Sequence, residues 1–348
     1  MWIRIVAIIA CFALPGFAQD WNPRLAAQYL DSRQKEWFVW PTAKTAEGPC
    51  ISCHTGMTYL LARPALRRSL GEKTPTEHET GLLNSLRTKV QKRNPVELGS
   101  KPSDALGVDA VFSALFLATQ DYGKATLSED TLRAFDELWA MQIREGKGTG
   151  SWPWFSLDLQ PWEMPESAYY GATLAAQAVA MTPASYRNRP EVQQRVSALV
   201  AYLQREKESQ PLHNRLALLW AATTMPNVMP GNERKVLVAE VLKKQEADGG
   251  WTLESLGQWA PRPKAPASPG SNAYATGFVA FVLQKAGVKR SDTALTRALS
   301  WLRSRQEAQS GSWAAMSMNK PFEPDSMQVR FMRDAATAFA ALALLEGR

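Results

Sequence analysis

Three stretches of this 348-residue chain end a helical pattern with glutamine and follow it with glycine and tryptophan. They are Gln142 with Gly150, Ser151 and Trp152; Gln245 with Gly249, Gly250 and Trp251; and Gln306 with Gly311, Ser312 and Trp313. A turn that recurs between helices implies a stack of like units, because one helix pair cannot bury its own apolar face and needs neighbours. After each turn come a loop and a helix rich in small apolar residues: Ser167-Ala168-Tyr169-Tyr170-Gly171, Ser271-Asn272-Ala273-Tyr274-Ala275-Thr276-Gly277, and Arg333-Asp334-Ala335-Ala336-Thr337. Small residues on most faces let neighbours approach from every side, which puts these helices inside. The helices before the turns, such as 233–244 and 293–305, alternate apolar and charged faces and belong outside.

The same pairing extends along the chain. Residues 192–204 pair with 212–222, and 82–91 with 105–120. The opening helix, 23–34, pairs with an inner helix beginning at Cys53-His54-Thr55-Gly56-Met57, whose Thr-Gly step matches Thr276-Gly277. Strand signals are nearly absent. Six outer and six inner helices predict an all-α fold closed into an α/α toroid, since closure removes the unpaired ends of an open solenoid. Leu302, Gln306, Gly311 and Trp313, and again Gln245, Gly249 and Trp251, resemble the repeats of squalene-hopene cyclases and the wider terpenoid cyclase and protein prenyltransferase toroids. The Gln142 copy carries a longer insertion, and about half of the units are recognisable. The resemblance implies that each Gln amide bonds backbone at a helix end while the Trp ring covers it. It does not carry over an activity: there is no D-x-D-D acid, since Asp104 and Asp109 or Asp325 and Asp334 are spaced otherwise. The prenyltransferase zinc set and the C-G-E-Q thioester of complement-type toroids are also missing. A fold alone does not assign function.

The N-terminus reads Met1-Trp2-Ile3-Arg4, an apolar stretch over 5–14, then Gly16-Phe17-Ala18 before Gln19-Asp20. A charged start, a short apolar core and small residues before a polar step predict a secretory signal cleaved after Ala18, and so an exported, periplasmic-type protein. A lipoprotein cut before Cys11 would leave too short an apolar core. No other run is long enough to span a bilayer. The organisation expected is a signal over 1–18 and a single toroid over 19–348. The alternative is a small cytochrome-like segment over 20–90 ahead of a toroid over 91–348. The formal charge of +7 is modest for this length, and no basic run with interleaved aromatics points to nucleic acid. A basic surface suits an acidic redox partner.

Loss of the signal removes Cys11 and leaves two cysteines, both in Cys50-Ile51-Ser52-Cys53-His54. Two thiols at this spacing add across the vinyl groups of a haem while the next imidazole reaches its iron, so the pentapeptide reads as attachment for one covalent haem c, with His54 the proximal ligand. A C-x-x-C disulfide is the alternative in an oxidising compartment. Zinc is weaker, with only His78 and His213 as further soft ligands. The motif opens an inner helix, so the haem is expected at the mouth of the toroid, walled by the loops over 37–40, 152–162, 259–269 and 315–331.

His213 opens the fourth inner helix, opposite the first unit in a six-membered ring, and is the expected distal ligand. Met316, Met318 and Met327, in the last mouth loop, are the other candidates, and with none of them the iron is open to peroxide or a gas. His78 reads as a solvated loop residue. The first functional reading is electron transfer or small-ligand binding at the haem. The second is a haem enzyme, a peroxidase or an oxidoreductase acting on a small apolar molecule, with Trp152, Trp154 and Tyr169 as pocket or relay residues and no acid/base pair apparent. The third is a haem-free binding or scaffold protein with a disulfide.

Overall fold

The computed structural model describes residues 20–259, 264–265, 270–319, 321–324 and 326–347. The expected signal segment, most of the loop after Trp259, and Asp325 lie outside the described residues. Within them the chain is all-α apart from one short hairpin. The helices are α1 (Pro23–Val39), α2 (Gly56–Ser69), α3 (Glu77–Lys92), α4 (Pro95–Ser100), α5 (Asp104–Asp121), α6 (Glu129–Met141), α7 (Ser167–Ala180), α8 (Ala184–Arg187), α9 (Pro190–Glu206), α10 (Leu212–Ala222), α11 (Gly231–Leu242), α12 (Ala273–Lys285), α13 (Thr293–Ser304) and α14 (Phe331–Leu345). The hairpin pairs β1 (Lys44–Thr45) with β2 (Gly48–Pro49).

Local chemistry starts these helices where the sequence places them. Asn22, Ser103, Ser128, Asn272 and Asp292 each accept a backbone N–H from the first turn of α1, α5, α6, α12 and α13, satisfying donors that have no partner within the helix. Thr76 and Glu79 make a reciprocal capping box on α3.

The small-residue helices are buried along their length, as expected. α14 packs on both α12 and α2, α10 on both α12 and α7, and α7 on α5. The amphipathic helices cover them: α1 lies on α2 and α14, α3 and α6 on α5, α9 on α7, α11 on α10, and α13 on α12 and α14. Gly277 permits the close approach of α12 to α14, because a Cβ there would sit 2.7 Å from the backbone nitrogen of Ala340. One apolar cluster runs from Trp21 to Leu344, so residues 20–90 share their core with the rest of the chain.

The three Gln-Gly-Trp turns have one geometry. The Gln142 amide donates to the Gly150 and Arg195 carbonyls, Gln245 to Gly249 and Ala294, and Gln306 to Gly311 and Asn22. Each glutamine therefore ties its own turn to the start or first turns of another outer helix: α9, α13 and, for the last copy, α1. The Trp152, Trp251 and Trp313 indoles donate back to Leu138, Val241 and Leu302 near the end of the preceding helix. Gly311 has a φ of +73°, and a Cβ there would lie 2.4 Å from Leu25. Only glycine meets both demands.

Two expectations are corrected. The first inner helix begins at Gly56, not Cys53, because the Ser52 hydroxyl accepts the amides of Thr55 and Gly56 at 3.1 Å and holds the pentapeptide in a turn ahead of α2. His78 is not a loop residue. It lies in α3 with its ring 5.7 Å from that of Phe38, where the capping box has extended the helix into the polar run.

Candidate functional site

The hairpin delivers the pentapeptide to a fixed place. Cys50 donates its amide to the Ala43 carbonyl at 2.8 Å and accepts the Trp37 indole N–H on its own carbonyl at 2.8 Å. The Ser85 hydroxyl holds the carbonyl of Pro49 at 2.8 Å. Cys50 is partly buried against a small cluster of Trp37, Ala43 and Met327, while Cys53 belongs to the main core. Both are free thiols. Burial pushes both thiol pKa values up, Cys53 well above the ordinary range, with the Glu163 carboxylate adding to the effect there.

His54 follows in the turn, stacked on Phe331 with ring centroids 3.5 Å apart and flanked by Trp37 at 5.8 Å and Trp162 at 6.4 Å. Its Nδ1 lies 3.0 Å from the Thr55 hydroxyl, which donates in turn to Asp334 Oδ2 at 2.7 Å. Asp334 also accepts from Tyr29 and from both Nε and Nη2 of Arg33. The single hydroxyl proton of Thr55 is committed to a carboxylate, so Nδ1 of His54 carries the proton that bridges the pair, and Nε2 keeps its lone pair. No hydrogen bond engages that Nε2 among the described residues. Burial, with a smaller push from the Arg33 charge, lowers the imidazole pKa to about 3 and keeps the ring neutral.

The ring opens on a cavity of about 510 Å³, inside the range of about 300–1,000 Å³ common to cofactor and ligand sites. Its walls come from His54, from Leu159, Gln160, Trp162 and Glu163, and from residues of the last mouth loop and the start of α14 that include Asn319, Phe322, Phe331 and Met332. Two of the expected mouth loops therefore line it, and a third contributes Trp37 beside the imidazole. Asn319 clamps the two walls together, accepting the Gln160 amide at 3.0 Å and donating to the Gln160 carbonyl at 3.1 Å. The Gln160 side-chain oxygen is buried with no hydrogen-bond partner among the described residues. Glu163 lines the same space, and burial raises its carboxyl pKa. The donor types match those of a c-type haem: two free thiols in one turn and an imidazole with no hydrogen bond to Nε2 among the described residues, beside a cavity that the imidazole lines and the two thiols do not. Among the described residues, no three His, Cys, Asp or Glu side chains gather as a cage for a bare metal ion.

His213 lies elsewhere. It is fully buried at the start of α10, with Nε2 2.8 Å from the Tyr274 hydroxyl and Nδ1 3.1 Å from Asn214 Oδ1. The Tyr274 oxygen also accepts the Trp162 indole N–H at 3.2 Å, so Trp162 and Tyr274 stand between the two imidazoles. Burial lowers the His213 pKa to about 4, with Asn214 acting the other way. Of the methionines, Met316 is exposed, Met318 is buried in the main core, and Met327 packs near Cys50. Met332, which the sequence reading did not single out, shares the cavity wall with His54.

Trp152 serves its turn, and Tyr169 donates to the Leu203 carbonyl beside Tyr202. Trp154 donates to the Trp162 carbonyl and packs against Phe112 and Tyr170. The aromatics nearer His54 are Trp37, Trp162 and Phe331. Sequence reasoning also missed Thr55, Arg33 and Asp334. The available signal was a lone carboxylate in the first turn of an alanine-rich, otherwise apolar helix. The scan of protein-family models finds none that matches this chain, and the search of curated proteins finds no relative.

Proposed function

We propose that the chain is an exported c-type haem protein that moves electrons or binds a small ligand at one covalent haem. Cys50 and Cys53 would form the two thioethers, and His54 would be the proximal ligand through Nε2. The observation that carries this reading is the arrangement at His54: a neutral imidazole that lines a cavity, with Nδ1 occupied by Thr55 and no hydrogen bond to Nε2 among the described residues, in the same turn as two free thiols. Metal-bound histidines ordinarily carry this kind of second hydrogen bond. The bound group would supply the redox-active iron. The protein's part is to attach it, orient the proximal ring and exclude water with Trp37, Trp162 and Phe331.

We further read the helix packing as a closed α/α toroid of six outer and six inner helices, which the Gln306 bond to Asn22 and the seating of α14 on α1 and α2 support. The sixth ligand is best sought in the cavity wall, where Met332 lies. For His213 to take that role it would have to give up its bond to Tyr274. A second reading, a haem enzyme, is favoured by Glu163, a carboxyl made more basic by burial in the cavity that His54 lines. It would take or return a proton for a small ligand such as peroxide.

The test is a pyridine haemochrome spectrum of the chain made with the c-haem maturation machinery. A spectrum without covalent haem overturns both readings and leaves a haem-free binding protein with a C-x-x-C pair. With haem present, a high-spin ferric signal favours the enzyme, and a low-spin signal favours electron transfer.

A further inference from the structure

Asp334 sits 280 residues from His54 in the chain and lies two bonds away from it in space. The path is continuous: His54 Nδ1 to the Thr55 hydroxyl at 3.0 Å, then the Thr55 hydroxyl to Asp334 Oδ2 at 2.7 Å. The far side of the carboxylate is held by the Tyr29 hydroxyl at 2.8 Å and by the Arg33 guanidinium at 2.8 and 3.2 Å. The four contacts fill the accepting directions of the two oxygens, so the carboxylate can only receive the Thr55 proton. Thr55 then has a lone pair and no proton to offer His54. The hydroxyl has no competing duty, because it does not cap α2 although Thr55 stands at the cap position.

We propose that Asp334 is a positioning residue for His54, acting through Thr55: it fixes the imidazole as the Nδ1–H tautomer and sets the ring's angle, so that Nε2 faces the cavity as a lone-pair donor. The inference rests on the haem reading only for what that Nε2 is for; the tautomer itself is a property of the chain with or without haem. Arg33 and Tyr29 lie on α1 and Asp334 on α14, so the device is assembled where the first and last helices meet. Its consequence for a bound iron is a more strongly donating proximal nitrogen, since an N–H engaged by an acceptor pushes electron density across the ring.

The test uses three full-length chains, wild type, Thr55→Val and Thr55→Ser, with histidine nitrogens labelled. Valine keeps the branched shape and removes only the hydroxyl. It leaves Asp334 with its Tyr29 and Arg33 partners and α2 without loss of a cap, so the variant folds. Long-range nitrogen–proton NMR on the haem-free chain is expected to show a single Nδ1–H tautomer for His54 in the wild type. Valine should give a mixture shifted toward the Nε2–H form, and serine should restore the wild-type pattern. In the haem-loaded chains, valine should move the reduction potential to a more positive value and serine should bring it back. A valine variant with an unchanged tautomer, or a serine variant that fails to restore it, overturns the inference. Absence of covalent haem overturns the functional reading instead, and the NMR result stands apart from it.

Discussion

Two imidazoles of this protein, the partly buried His54 and the fully buried His213, have opposite surroundings although each lies at or just ahead of an inner-helix start. His213 is satisfied on both nitrogens, by Tyr274 and Asn214, and is ringed by Tyr170, Trp259, Tyr274 and Phe278. Among the described residues, His54 is hydrogen-bonded on one nitrogen only, and its other nitrogen belongs to a ring that lines a cavity. Burial alone therefore does not mark a ligand. One nitrogen anchored and the other unengaged is what separates the two, and on the proposed reading His54 is the chemical group and His213 a structural strut.

The contrast breaks most visibly at the proposed haem. In chains made with the maturation machinery, His54→Ala is expected to lose the proposed proximal ligand and with it whatever low-spin or five-coordinate signature the wild type shows, or the haem altogether. His213→Phe should leave the haem spectrum as it is. The reverse pattern would exchange the two assignments.

Asp334→Ala tests the support on the His54 side. It strands Arg33, which is buried and would keep only Glu36 and a carbonyl, so a loss of about 3–5 kcal/mol is expected, read as a lower urea midpoint at unchanged slope. A loss below about 1 kcal/mol would mean that the pair is solvated in solution.

The pH dependence sharpens the His213 side. Its pKa is depressed from 6.5 unfolded to about 4 folded, so below pH 6.5 the unfolded chain binds the extra proton first. The neutral ring's contribution is thus whole above pH 6.5 and is lost as the pH falls through about 4, in all about 3 kcal/mol. Urea unfolding of wild type and His213→Phe between pH 7 and pH 4 should show the steeper decline in the wild type alone; equal slopes would mean that the ring is accessible to protons in the folded state.

The smallest effect expected is that of His213→Phe on stability at neutral pH. It leaves the Tyr274 hydroxyl and Asn214 Oδ1 without their partner, a cost of about 1–3 kcal/mol by thermal or urea unfolding. A neutral result would show that the cluster repacks around the larger apolar ring.

What could be read from the chain follows the reach of each signal. The inner helices were legible because alanine and glycine on most faces of one segment leave little else for it to be. The glutamine turns were legible because Gln, Gly and Trp recur within a dozen residues. The cysteines and His54 were legible as one short motif. Their partners were not: Phe331 and Asp334 reach His54 from the other end of the chain, and no local periodicity links them. The surroundings of His213 were hidden for the same reason. Its place in a ring could be counted, but Tyr274, 61 residues on, decides that its nitrogen is engaged.

The bond from Gln306 to Asn22 has a consequence for motion. Stacked helix pairs ordinarily open first at their ends, where a unit has one neighbour instead of two. Here the last turn grips the cap of the first helix, and Arg33 on α1 is locked to Asp334 on α14. Neither terminal helix can peel away alone. Amide hydrogen exchange should find α1 and α14 protected as well as the middle of the chain, with the slow opening of both in step.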